Sequence, residues 1–201
     1  FLSFQEALYM KQLQVMIEGS GRHIHMTKEC LEALFGAGYE LEARKYLSQP
    51  GEFASNSKVD VVGPKGVIKG MTILGPCRKF TQIELSFTDA RTLGINPPIR
   101  ESGNIEGSAP VTLVGPAGTV DLKEGAIVAK RHLHITCKDA EEYGIQDKEI
   151  IQIKVGGERA LIFDEVVARV SDNYATAVHL DYDEVNAAAL FGDNAVGIIL
   201  K

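Results

Sequence analysis

The sequence predicts a mainly β protein, built as small all-β barrels with short connecting helices and arranged in two similar halves. Short runs rich in Val, Ile and Thr recur along the chain, Gly, Pro, Asn and Asp punctuate them, and no long helical pattern interrupts them. Two motifs also occur twice, which is the observation behind the two halves. RHIHMT at 22–27 returns as RHLHIT at 131–136, and VGPKGVI at 62–68 is echoed by VGPAGTV at 114–120.

The chain of 201 residues is 45% hydrophobic and 24% charged, ordinary globular values that allow one sizeable core or two small ones. Its net charge is −6 and the basic residues form no run, which excludes the broad positive field of a nonspecific nucleic-acid binder. Anionic ligands must then be held by a few local groups. Nothing approaches the ~18–20 apolar residues of a membrane span, so no membrane partner is expected. Cys30, Cys77 and Cys137 are odd in number, widely spaced and without CxxC spacing, which argues against a disulfide framework or a thiolate zinc knuckle and for a reducing, cytoplasmic setting.

Residues 1–12 place Phe1, Phe4 and Leu8 at helical spacing, an amphipathic segment that either docks locally or serves targeting; Gln5, Glu6 and Lys11 interrupt what a secretory signal would need. Leu13 to Ile17 then reads as a strand before the turn at Gly19-Ser20-Gly21. Each RHxHxT copy leads into a short helix. Thr27 is the N-cap of the first, with Glu29 in its first turn and Gly36 as its stop. Thr136 and Asp139 make a capping-box-like start to the second, which Gly144 ends. Strands are expected at 58–62, 66–74, 81–87, 110–114, 125–130, 150–155, 159–170 and 175–180, and the two Gly-Pro-x-Gly echoes are read as tight turns between strands. From the symmetry we expect 13–21 plus 130–201 to form one barrel and 22–129 the other.

The chemistry is concentrated in histidine. On an extended segment alternate side chains share a face, so His23 projects with His25, and His132 with His134. Each pair is a chelate, and neutral imidazole is a common zinc ligand. One HxH occurs readily by chance, but four of the chain's five histidines lie in two near-identical frames. That duplication favours a metal role, with the two pairs meeting across a pseudo-symmetric interface. The fifth, His179 in AVHLDYDE, ends a strand-like run and is read equally as a ligand or as a hydrogen-bonded structural histidine.

In TQIELSF the alternation puts Ile83, Leu85 and Phe87 on one face and Gln82, Glu84 and Ser86 on the other, so Glu84 lines either a cavity or an exposed face. Arg78 follows the turn at Gly75-Pro76-Cys77, and its guanidinium is either a phosphate contact through two parallel hydrogen bonds or, more commonly for an arginine after a turn, simply solvated. Cys77 beside it is either a thiol with lowered pKa acting as a nucleophile or, more commonly, a small half-buried side chain.

Taken together, RHIHMT, QPGEFA at 49–54, GPKG at 63–66, ILGPCRKFTQIELSFTDARTLGI at 73–95, IRESGNIEGS at 99–108, EGAIVAKRHLHIT and HLDYDEVNAAAL resemble the PduL-type phosphate acyltransferases, or phosphate propanoyltransferases, over nearly the whole chain after about residue 14. The resemblance implies two β-barrel domains with short capping helices and a two-metal zinc site at their junction. It implies His23, His25 and Glu84 as ligands of one Zn2+, His132, His134 and His179 as ligands of the other, and Arg78 as the phosphate contact. The implied substrates are acyl-CoA and inorganic phosphate, exchanged reversibly with coenzyme A on a propanoyl or acetyl group. Some members work inside bacterial microcompartments, which would give residues 1–12 a targeting role and shell or lumen proteins as partners. Gly21 departs from the pattern, where a more polar residue is expected.

Rival readings use the same residues. A zinc hydrolase would turn the cluster on water, and a non-enzymatic metal-binding module would leave Arg78 and Glu84 without purpose. A cupin-type metal barrel leaves the second HxH unused, and an amidohydrolase barrel needs more chain and more helix than this. Acyl-chain preference, the residues that contact coenzyme A and the oligomeric state are not legible in the sequence.

Overall fold

The computed structural model describes residues 13–190, 192 and 195–200, and the segment 1–12 lies outside them. Among the described residues there are fourteen strands and four short helices, none of them long and apolar enough to cross a membrane. The chain divides into two compact units, each a closed six-stranded barrel with its own core.

One unit comprises Ser20–Lys130 together with Asp181–Asp183. Its barrel strands are β2 (His23–His25), β4 (Phe53–Val62), β5 (Val67–Gly75), β6 (Gln82–Glu84), β8 (Ala109–Val114) and β9 (Thr119–Ala129), paired in the order β4-β5-β2-β6-β9-β8 and back to β4. Two further strands, β3 (Ala43–Tyr46) and β7 (Ile99–Arg100), lie off the ring on β4 and β9. Helix α1 (Lys28–Phe35) follows β2 and helix α2 (Phe87–Leu93) follows β6. Fully buried Ile24, Leu34, Ile73, Ile83, Leu93 and Leu113 fill the interior. Each such side chain contributes about 1.5–3 kcal/mol on leaving water.

The other unit holds Arg131–Leu180 with strands from both ends of the chain. β1 (Gln14–Ser20), β13 (Ala177–Asp181), β10 (His132–Ile135), β12 (Leu161–Val170), β11 (Ile150–Val155) and β14 (Val196–Leu200) close in that order. Helix α3 (Cys137–Tyr143) follows β10, and α4 (Tyr182–Ala188) follows β13. Leu133, Ile135, Ile153, Val166 and Val178 are buried at its centre.

The pairing around the two HxH strands is the same. β2 runs parallel to β5 and antiparallel to β6; β10 runs parallel to β12 and antiparallel to β13. The capping residues work as the sequence predicts, with Thr27 accepting from Cys30 N and Thr136 from Asp139 N. Gly36 and Gly144 end the two helices. The box at Thr136 stays half-formed, because the Asp139 carboxylate accepts instead from the Thr176 hydroxyl. A complete box forms where none was expected: the Ser86 side chain accepts from Asp89 N, and Asp89 accepts from Ser86 N. The strand expected over 81–87 therefore stops at Glu84, and a helix begins at Phe87.

Both Gly-Pro-x-Gly echoes form strand-to-strand turns, with Gly63 N–H donating to Gly66 O and Gly115 N–H to Gly118 O. They belong to the same barrel rather than one to each half. Each turn sits on a helix C-terminus, Lys65 N–H donating to Leu93 O of α2 and Ala117 N–H to Leu34 O of α1. Carbonyls that end a helix without an internal partner are satisfied in this way.

Candidate metal centres

The register of β2 against β6 builds the first cluster. His23 lies opposite Glu84, Ile24 opposite Ile83, and His25 opposite Gln82. Directly opposed residues share a face, so Ile24 and Ile83 enter the core while both imidazoles, the carboxylate and the Gln82 amide gather on the other side. All four polar residues are buried. Single donor atoms of His23, His25 and Glu84 all lie within 4.8 Å of one another, a spacing that could hold a metal ion.

Several contacts fix the ligand-presenting atoms. The Gly21 carbonyl accepts from His23 Nδ1 at 2.8 Å, leaving Nε2 toward Glu84 Oε2 at 3.6 Å. A backbone carbonyl on one ring nitrogen is the common way of orienting a metal-ligating histidine by the other. Gly21 is also where the chain departs from the expected polar residue. A Cβ there would lie 3.0 Å from the Tyr182 ring, which would have to give way to a larger residue. His25 Nδ1 is buried with no hydrogen-bond partner among the described residues. A bare buried nitrogen costs stability, and a metal ion would satisfy it.

The charges suit a cation. Burial, then the charges of His23 and Arg78, lower the His25 pKa to about 2, so this imidazole is neutral and its lone pair available. Burial also opposes charge on His23 and Glu84, but each favours the other's ionised form: His23 is raised by the Glu84 charge and hydrogen bond, and Glu84 is held well below the usual carboxylate range. A buried carboxylate that stays ionised beside a neutral imidazole is the donor chemistry zinc takes.

The second cluster repeats the first. His132 lies opposite His179 and His134 opposite Ala177 across β10 and β13, and single donor atoms of His132, His134 and His179 again fall within 4.8 Å. The ring centroids are 4.6–5.0 Å apart, and His134 also stacks on Tyr174 at 3.9 Å. His179 Nδ1 faces Glu18 Oε2 at 3.6 Å, a carboxylate placed to orient the ring.

Arg78 donates through its backbone N–H to Met26 O, just beyond β2, and its guanidinium pairs with Glu52 of the QPGEFA motif at 2.5 Å. Its charge opposes protonation of both His25 and His23, although the pKa of His23 is raised on balance. Cys77 does not have an activated thiol. Burial pushes its pKa up, which is opposite to what a nucleophile needs.

A family model described as phosphate propanoyltransferase matches residues 16–191. The chain belongs to the phosphate propanoyltransferase family. It is 48% identical to the phosphate propanoyltransferase of Clostridioides difficile over 95% of this chain and 91% of that one. The enzyme of the same name from Enterococcus faecalis is 50% identical over 92% and 87% of the two chains, and that of Thermotoga maritima 47% over 96% and 92%. Membership of this family makes the chain an acyltransferase.

The residues that the HxH motifs and the family resemblance implied for each cluster are brought together, and further residues stand behind them. Glu52, Ser102, Glu18 and Tyr174 reach the clusters or Arg78 from elsewhere in the sequence, while Gln82 stands two residues before Glu84 on the same strand. The polar face of TQIELSF was the available signal for Gln82.

Proposed function

We propose that the chain exchanges coenzyme A and inorganic phosphate on a short acyl group, propanoyl or acetyl, reversibly, with one zinc ion held by His23, His25 and Glu84, a second by His132, His134 and His179, and Arg78 contacting phosphate. Membership of the family supports the reaction. The observation that supports the metal reading is the buried first cluster, where two imidazoles and an ionised carboxylate share one face, His23 is oriented by the Gly21 carbonyl, and His25 Nδ1 has no partner among the described residues.

In the acyl-phosphate-forming direction a phosphate oxygen attacks the thioester carbonyl, a C–O bond forms, the C–S bond breaks and coenzyme A leaves as a thiolate. Bound zinc supplies Lewis acidity for the carbonyl oxygen and affinity for the leaving sulfur. The Arg78 guanidinium binds the phosphate dianion and orients it, since the Glu52 pair holds the side chain in place. Phosphate is itself nucleophilic at neutral pH, so no covalent acyl-enzyme is required, in keeping with the raised Cys77 thiol. His23 and Glu84 are each 8% exposed and His25 3%, so their own surroundings keep bulk water from the first cluster.

The direct test is incubation with propanoyl-CoA or acetyl-CoA, with and without phosphate. Thiol release that depends on phosphate is expected, together with acyl phosphate. Release independent of phosphate would identify a hydrolase instead, and no release a binding module.

A further inference from the structure

Glu84 is the one acidic member of the two clusters, and its two oxygens have different surroundings. Oε2 faces His23 Nε2 at 3.6 Å. Oε1 accepts from Gln82 Nε2 at 2.7 Å and from Ser102 Oγ at 2.7 Å. Gln82 Nε2 also reaches Ser102 Oγ at 2.8 Å, while Gly103 N–H donates to Gln82 Oε1 at 2.9 Å.

The direction of each bond follows from what the groups can do. A backbone N–H only donates, so the Gln82 oxygen faces Gly103 and its NH2 faces Glu84 and Ser102. With one amide hydrogen spent on the carboxylate and the other on Ser102 Oγ, the hydroxyl proton goes to Glu84 Oε1. Glutamine, serine and carboxylate thus form a closed triangle in which each donor hydrogen has an acceptor, anchored by the backbone of the β7–β8 loop. Gln82 is fully buried, so its bond to Glu84 is shielded from water, while Ser102 is half-buried and closes the triangle from the outer side.

We propose that Gln82 and Ser102 are positioning residues that commit Glu84 Oε1 to the protein, present Oε2 alone to a divalent cation, and so set the metal affinity of the His23, His25 and Glu84 cluster. This rests on the reading of that cluster as a metal site. A carboxylate without such partners turns about its last bond and offers either oxygen or both; fixing it beforehand removes that freedom before the ion arrives. The second cluster has no amide at this register: Ala177 lies opposite His134 where Gln82 lies opposite His25, and His179 stands in the position of Glu84. The device therefore distinguishes two otherwise matching sites, and its loss should be felt at one of them.

The test is a zinc titration of the metal-stripped full chain against a competing chromophoric chelator, resolving two sites. Ser102→Ala is expected to weaken one site by about 10- to 100-fold and leave the other unchanged. Ser102→Thr keeps the hydroxyl and should restore the wild-type affinity, which a merely structural defect would not allow. In a Glu84→Ala background, Ser102→Ala should change nothing at the remaining site. The inference is overturned if Ser102→Ala binds both ions as tightly as wild type, if it weakens both sites alike, or if its defect persists without Glu84. Wild-type protein that takes up no zinc would instead overturn the metal reading, and this inference with it.

Discussion

Glu84 and His179 hold the same register position in two different barrels, Glu84 opposite His23 and His179 opposite His132. The correspondence extends beyond the strands. Five positions after each lies an acid in the following helix, Asp89 and Glu184, and each pairs with the arginine of its RHxH motif, Arg22 at 2.5 Å and Arg131 at 2.6 Å. QIELSFTD and AVHLDYDE are thus a further internal repeat, matched in structure more closely than in letters. Within it, one cluster keeps a carboxylate and the other a third imidazole, so bound dications would leave one site a unit of charge more positive.

Because each cluster is assembled within its own barrel, the two should lose metal separately. Glu84→Ala and His179→Ala are each expected to lower zinc from two ions per chain to one, with the far-ultraviolet circular dichroism unchanged, and to abolish acyl-phosphate formation. Elemental analysis of purified, unchelated variants checks this. Two zinc ions retained in either variant would remove that residue from the ligand set.

The two histidine pairs were legible because strand alternation is local: His-x-His puts two imidazoles on one face wherever the backbone is extended. Alternation gave Glu84 a polar face but left open whether that face lines a cavity, and the third members, Glu84 and His179, came from the family resemblance. The end of the Glu84 strand was not legible, since the apolar alternation of Ile83, Leu85 and Phe87 promised a longer strand while the Ser86–Asp89 box lay inside it. The box prevailed, and Phe87 is left half exposed. β3 was missed because Ala43-Arg44-Lys45-Tyr46 is exposed throughout and carries no alternation to read. The Ser102 contact with Glu84 and the Glu52 contact with Arg78 join residues 18 and 26 positions apart, which only the closed barrel brings together.

Arg78 makes its contribution through charge and fork geometry. Arg78→Ala should raise the KM for phosphate by roughly 10- to 100-fold, the worth of a charge-assisted hydrogen-bond pair, and lower kcat, with zinc content unaltered. Arg78→Lys keeps the charge without the fork and should fall between. Steady-state kinetics against phosphate at saturating acyl-CoA decides it, and an unchanged KM would take Arg78 out of phosphate binding.

The glycines of the two Gly-Pro-x-Gly turns are required by space. A Cβ on Gly63 would lie 2.3 Å from Leu93 O, and one on Gly115 2.5 Å from Leu34 O, the very carbonyls that the turns satisfy. Gly63→Ala and Gly115→Ala should each cost about 3 kcal/mol, because backbone must move on both sides of the contact. Gly38 has a positive φ of 76° but nothing within 4 Å, so Gly38→Ala should cost only about 1 kcal/mol of backbone strain. Urea unfolding of the three variants gives the comparison, and equal losses would refute the packing argument.

His25 gives the metal-free protein a distinctive response to acid. Its pKa falls from an ordinary 6.5 to about 2 on folding, because burial and the neighbouring charges of His23 and Arg78 oppose the proton. Between those values the unfolded chain binds a proton that the folded chain refuses, so stability should fall by about 1.4 kcal/mol per pH unit as pH drops below 6.5. His23 has the opposite sign: its raised pKa adds stability that is complete below 6.5 and is lost only as pH rises through the folded value, so it adds no slope in the acid range. Glu84, depressed on folding, adds a second loss as pH falls below its ordinary 4.5. Urea unfolding of metal-stripped protein at pH 6.5, 5.5 and 4.5 isolates the first effect by comparison with His25→Asn. The variant's slope should be shallower by about 1.4 kcal/mol per unit, and equal slopes would mean that the His25 pKa is not lowered on folding.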